Sequence, residues 1–245
     1  MDKLKKLLSI EPEAFENYKP GEVGNYKTQF DEIAKLLIED YAIVKGQDCY
    51  FFTEIEFYFY AKNHQDIITH PRRCLAMQWY INNFGDIDLT FESHIEMVEV
   101  ENSQKKVVCK PVLDDKCYFG GILIRGLKNV HTGKNLEGPW ACSELYRLHS
   151  VDGLTGEFPK LIKISDLELN APHMAENAVN RYNLLNNKTS ENKVDYILSG
   201  YKNGAELSKD SLVNKFDEFL PAAYRYYAKD WKVLGLKYPY CRNKE

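Results

Sequence analysis

The chain is 245 residues long and slightly acidic, with a net charge of −4 and an isoelectric point near 5.9. Its 44% hydrophobic and 13% aromatic content supplies enough apolar side chain for a packed core, which excludes a disordered polymer. The acidity excludes a polyanion binder working by overall charge, although a local basic groove stays open.

In chain order, MDKLKKLLSIEPEAF reads as a short amphipathic helix and not as a signal peptide, because its apolar run is brief and meets Glu11 and Glu13. Phe30, Ile33, Leu37, Ile38 and Tyr41 recur at helical spacing, so a helix is expected over 28–41, ended by Gly46. From 47 to 60 the period changes to two, which marks a strand. A second strand is expected in 84–101, a third in 106–113 with Pro111 at an edge or break, a fourth in 118–127 and a fifth in 161–169. Beyond these, 173–185, 193–202 and 211–231 read as helices, the last kinked at Pro221. No linker, repeat or low-complexity tract interrupts the chain. The fold class is therefore α+β: a single domain, 1–245, with a mostly antiparallel curved sheet flanked by helices.

Six cysteines, at 49, 74, 109, 117, 142 and 241, form no CxxC pair and have no histidine at finger spacing. They read as buried thiols in a reducing compartment, so no metal and no cofactor are expected and the location is taken as cytoplasmic. No apolar run approaches the ~18 residues of a membrane span.

The stretch FFTEIEFYFY, 51–60, carries two carboxylates in a greasy strand. Strict alternation puts Phe52, Glu54, Glu56, Tyr58 and Tyr60 on one face and Phe51, Thr53, Ile55, Phe57 and Phe59 on the other. A carboxylate beside phenols in a poorly hydrated wall can act as a base on water; equally, it can pair with cross-strand cations in a structural network. In the loop that follows, His64 and His70 match no metal spacing, and Arg72 and Arg73 form a small cluster able to touch a phosphate. Gly120 and Gly121 open YFGGILIRGL and suggest a bulge or a close backbone approach, and Arg125 at its close calls for a carboxylate or an anion.

The order of these pieces resembles the alkyladenine (3-methyladenine) DNA glycosylase family, of which the chain looks like a diverged member. A strand ending Glu-Phe-Tyr, a downstream His, the aromatic segment WYINNFGDIDLTF, the strand GGILIRGL and the Gly-Pro element GPWACSEL occur in the family's sequence order, over residues 47–150. The resemblance implies Glu56 as the base that activates water, Tyr58 as the stacking tyrosine and His70 as a pocket hydrogen-bond donor. It further implies Arg125 as a DNA-backbone contact and Phe84 as the wedge into the duplex. The second stacking aromatic falls at Ile81, with Trp79 or Tyr80 able to take the role. The chain departs from the family where the Gly- and Arg-rich loop shrinks to PRRCL and where Ala141 stands near the usual basic residue of the Gly-Pro element.

The C-terminal stretch 222–244 interleaves Arg225, Lys229, Lys232, Lys237 and Arg242 with tyrosines. It suits a nucleic-acid groove, or an amphipathic helix with its aromatics inward, which is the simpler expectation. Three functions follow. The first is a glycosylase-like hydrolase that excises a damaged purine from double-stranded DNA. The second is an inactive relative that holds a nucleobase-like or other small aromatic ligand. The third, a sugar hydrolase using Glu54 and Glu56, ranks last, because neighbours on one strand face do not readily flank a sugar ring.

Overall fold

The computed structural model describes residues 2–9, 24–82, 85–101, 105, 107–114, 116–146, 158–179, 181, 218–219 and 222–231. Helices α1 (Asp2–Leu8) and α2 (Gly24–Lys35) lead into a π-helical turn, Leu36–Asp40. Leu4, Leu8, Phe30, Ile33, Ala34, Leu37 and Ile38 are all buried, the apolar stripe that the helical period predicts. Helical backbone ends at Asp40, close to the expected end at 41, and is followed by a strand that the sequence reading did not foresee. Tyr41–Lys45 is strand β1, joined by a two-residue turn at Gly46–Gln47 to the long strand β2 (Asp48–Ala61). The β-branched pair Ile43-Val44 and the tight hairpin favour extended backbone over another helical turn.

β2 is the spine of a curled antiparallel sheet. One side pairs along most of its length with β8 (Tyr118–Asn129). The other side pairs with β1 at its start and with β11 (Arg225–Tyr227) further on, at Glu54–Glu56. β10 (Lys160–Lys163) extends the sheet beyond β1. β5 (Ile87–Thr90) and β4 (Trp79–Ile81) extend it beyond β8. Short strands β3 (His64–Gln65) and β9 (Asn135–Glu137) pair with β2 and β8. The expected strand over 84–101 is in fact two: β5, and β6 (Glu96–Glu101), which leaves the main sheet to form a hairpin with β7 (Val107–Val112). The run 161–169 turns into a 3-10 helix, Ile164–Leu167, after β10.

The C-terminal third departs most from its sequence reading. Within 222–231 the backbone is not helical: 225–227 form β11, 228 is a bridge and 229–230 a turn. Phe57 N–H bonds the Tyr224 carbonyl (2.9 Å) and Ala228 N–H bonds the Thr53 carbonyl (2.9 Å), which lays this segment along β2. Residues 173–179 are not helical either and bond its outer side through bridges Met174↔Ala228 and Val179↔Arg225, with a bend at 176–177. All of 182–217, including the expected helix at 193–202, and the tail from 232 lie outside the described residues. No helix among the described residues is long and apolar enough to cross a membrane.

Strict alternation in β2 fails at one point. Pairing with β8 runs Phe52↔Leu127, Glu54↔Gly126 and Ile55↔Ile124, so Thr53 and Arg125 drop out of the ladder. This irregularity flips the faces upstream of it. Phe52 joins Ile55, Phe57 and Phe59 in the main core, under α2. Phe51 turns to the other side, against Ala42, Cys49 and Ile164. Phe30 stacks on Phe57 with ring centroids 4.7 Å apart, and a buried ring of this size contributes about 2–3 kcal/mol.

Candidate active site

Past the irregularity, Glu54, Glu56 and Tyr58 share the face opposite that core. It is buried as well. Glu56 has no exposed surface and Glu54 only 2%. The bare cost of burying two carboxylates is large, and guanidinium groups offset it. Arg125, on the same side of β8 as Leu123 by alternation, donates from Nη1 to Glu56 Oε2 (2.7 Å) and from Nε to Glu54 Oε1 (3.2 Å). Arg225 of β11 donates from Nε to Glu54 Oε1 at 2.6 Å. The Trp231 indole N–H closes the other Glu54 oxygen at 2.8 Å. Glu54 is thus a cation-bound structural neighbour of Glu56.

Glu56 is held differently. Its Oε2 accepts from both Arg125 and the Tyr58 hydroxyl (2.7 Å). Among the described residues its Oε1 accepts no hydrogen bond; Arg225 Nε stands 3.8 Å from it. One oxygen is fixed by two donors while the other keeps its lone pairs, the arrangement a base needs to take a proton from water. Tyr58 is half-buried, and the Arg181 guanidinium lies 4.9 Å from its ring centre. Arg181 is itself fully buried and donates to Asp66 Oδ2 (2.8 Å) and to the carbonyls of Phe57 (3.1 Å) and Phe219 (2.7 Å). Nearby, His64 holds the Phe59 carbonyl through Nδ1 (2.8 Å) and meets the Tyr224 hydroxyl at Nε2 (2.9 Å). A carbonyl only accepts, so Nδ1 carries the proton. Burial depresses this imidazole to about 4. His64 is therefore a neutral core strut.

A second cluster adjoins the first across β8. Asp88 of β5 pairs with Leu123, whose partner on β2 is Glu56. Arg72 forms a buried ion pair with Asp88 and lies over the Tyr80 ring, 4.6 Å from its centre. The Gly-Gly pair makes both approaches possible. A Cβ on Gly120 would stand 2.5 Å from the Tyr58 carbonyl oxygen, and one on Gly121 would stand 2.6 Å from Arg72 Nη1. His70 is half-buried beside this cluster, its carbonyl accepts from Arg72 Nε (3.2 Å), and burial lowers its pKa.

The structure therefore brings Glu56, Tyr58 and Arg125 into direct contact and sets Arg72, Tyr80 and His70 around Asp88 next to them. Alternation in β4 separates the two aromatic candidates: Tyr80 pairs with Asp88, whereas Trp79 pairs with Leu89 and packs on Tyr146 at 5.0 Å. Arg125 lies inside β8 and not at its end, with both glutamates as its partners. Arg73 is exposed, and Phe84 falls outside the described residues. Sequence reasoning missed Arg181, Trp231 and the site role of Arg225, because contacts across more than a hundred residues leave no local pattern; it also missed Asp88, whose partner Arg72 lies 16 residues away on a different segment. No group of three or more His, Cys, Asp or Glu side chains suited to a metal occurs among the described residues.

No family model matches the chain, and no solved structure matches it. Over 138 residues it is 30% identical to a protein of Acanthamoeba polyphaga mimivirus described as "Uncharacterized protein L759", covering 52% of this chain and 62% of that protein. The chain thus spans less than two thirds of this curated relative, whose description states no activity.

Proposed function

We propose that the chain is a glycosylase-like N-glycosidic hydrolase that takes a modified purine out of the duplex stack and releases it, with Glu56 activating water. The observation that carries this reading is the asymmetric binding of Glu56, one oxygen clamped by Arg125 and Tyr58 and the other without a hydrogen bond. A damaged base is attacked only after it leaves the stack, and a half-buried aromatic such as Tyr58 offers it a π-face. His70, Tyr80 and Arg72 line the adjoining cluster, where a flipped base would meet donors. A cytoplasmic location goes with this reading, since Cys49, Cys74, Cys117 and Cys142 are all free thiols.

The test is incubation with duplex oligonucleotides carrying hypoxanthine or 3-methyladenine. Free base is expected from the wild type and none from Glu56→Gln, with both proteins folded by circular dichroism. No release from any alkylated or deaminated substrate sinks the catalytic claim. A second reading, a binding protein for a nucleobase-like or other small aromatic ligand, is favoured by the complete burial of Glu56. Thermal stabilisation by a free base, with only weak and salt-insensitive DNA binding, would select it.

A further inference from the structure

Every buried acid so far described on the Glu56 face holds a cation, and one further carboxyl on that face does not. Asp86 immediately precedes β5, and the alternation of that strand puts Asp86 and Asp88 on the same side, the side of Leu123 and its partner Glu56. Its backbone is fixed by a closed pair of bonds: Asp86 N–H donates to Asn82 Oδ1 (3.1 Å) and Asn82 N–H to the Asp86 carbonyl (2.9 Å). Its carboxyl has neither a hydrogen bond nor an ion pair among the described residues, and it is half-buried, so a ligand can reach it.

The groups that face it are Asp88 from its own strand, Arg125 from β8 and Glu56 from β2. From α3 (Pro139–Ser143), the Cys142 thiol also senses it. Burial first, then Asp88 and more weakly Glu56, push the Asp86 carboxyl up to about 6, with only Arg125 opposing them. Glu56, by contrast, is an acceptor for Arg125 and Tyr58, and its Oε1 is a fully buried oxygen without a hydrogen bond. Two carboxyl groups on one side of the sheet, one held by Arg125 and Tyr58 and the other without a hydrogen bond or ion pair among the described residues, can divide the work of base and acid.

We propose that Asp86 is the proton donor to the departing base, working opposite Glu56. This rests on the glycosidic reading of the site. Water loses a proton to Glu56 Oε1 as its oxygen bonds to the anomeric carbon. The carbon–nitrogen bond breaks with its electron pair going to the base, and the Asp86 proton goes to a ring nitrogen of that base. One water is consumed, the free base and the sugar hydroxyl are formed, and both carboxyl groups recover their starting states by proton exchange with solvent.

The experiment compares single-turnover release of hypoxanthine, a neutral leaving group, with release of 3-methyladenine, whose nucleoside is already cationic and needs no proton. Wild type, Asp86→Asn and Glu56→Gln are measured from pH 5 to 8. Asp86→Asn is expected to slow hypoxanthine release by about 100-fold or more, with a loss at least about tenfold smaller for 3-methyladenine. The wild-type hypoxanthine rate is expected to fall as pH rises past about 6, and the variant to lack that fall. Equal losses on the two substrates, or no loss on either, overturn the assignment while leaving the glycosylase reading intact. Release of neither base by the wild type overturns both.

Discussion

Arg225 is the residue whose loss tests the site most directly. Its side chain is fully buried and lies 2.5 Å from Glu54 Oε1 at Nη2 and 2.6 Å at Nε, with Glu56 Oε1 3.8 Å away. In Arg225→Met the stem volume is largely kept and the backbone pairing of β11 is untouched, so the change isolates the charge. Two buried carboxylates would then share Arg125 alone. Removing one partner of a buried pair costs about 3–5 kcal/mol, because the remaining charge stays desolvated. At about 2–4 °C per kcal/mol for a chain of this size, the melting temperature should drop by roughly 6–20 °C. Urea unfolding of the wild type, Arg225→Met, Glu54→Gln and the double variant gives the pairwise coupling, expected above about 2 kcal/mol. A single-variant loss below about 1 kcal/mol, or additive losses, would show that Arg225 does not neutralise Glu54 and would refute the reasoning.

Asp86→Asn should stabilise the protein at neutral pH. Its carboxyl goes from 3.8 to about 6 on folding, so the native state binds more protons than the unfolded chain between those values, and stability falls as pH rises through that window. At about 1.36 kcal/mol per pH unit the full effect is about 3 kcal/mol, reduced to about 1–2 by the solvent at its exposed edge; the gain should vanish below about pH 4, and equal unfolding curves at pH 8 would contradict it. His64 works in the opposite sense. Held neutral by burial, with its pKa lowered from 6.5 to about 4, it lets the unfolded chain take up a proton first, so up to about 3 kcal/mol of stability is lost as pH falls from 6.5 to 4; an imidazole NMR midpoint at or above 6.5 would refute this. Gly121→Ala places a methyl 2.6 Å from Arg72 Nη1 and 3.1 Å from Asp88 Cβ, which must displace the buried ion pair. A loss of about 1–3 kcal/mol is expected, and one under about 0.5 kcal/mol in urea titrations would show that the contact relaxes freely.

The sheet was legible because its core strands carry a simple period. Ile55, Phe57 and Phe59 point into the core as alternation requires, and Gly120-Gly121 announces a close approach that the Tyr58 carbonyl and Arg72 then make. What escaped had physical reasons. The irregularity at Thr53 and Arg125 moves Phe52 into the core, and its mark in the sequence is Gly126, opposite Glu54, where a Cβ would stand 2.6 Å from Thr53 Oγ1; the sequence reading looked for the close approach at Gly120-Gly121 instead. Residues 211–231 look helical because Phe, Leu, Tyr and Trp recur at mixed spacing. Pairing with β2 overrides that weak local preference at 222–231. In the site, Glu56, Tyr58 and Arg125 were readable as a constellation, whereas Arg181 and Arg225 look like ordinary surface cations in sequence and end fully buried.

That burial bears on what part of the chain makes the site. An ion network is an expensive way to fill a sheet face, and apolar residues of similar volume often serve stability as well or better. The opposite face of β2 shows that this chain has that option, with Phe52, Phe57 and Phe59 in the apolar core and Phe30 against Phe57 and Phe59. Keeping Glu54, Glu56 and Asp88 with Arg125, Arg225 and Arg72 on the other face therefore argues for a use beyond packing. Half of that arrangement's support reaches β2 from far along the chain: Arg225 and Trp231 close Glu54, and Arg181 braces Tyr58. A fragment limited to residues 47–150, the span of the glycosylase resemblance, would leave two glutamates on Arg125 alone. The residues that hold Glu54 and Tyr58 beside Glu56 thus belong to the C-terminal third as much as to the strand that carries them.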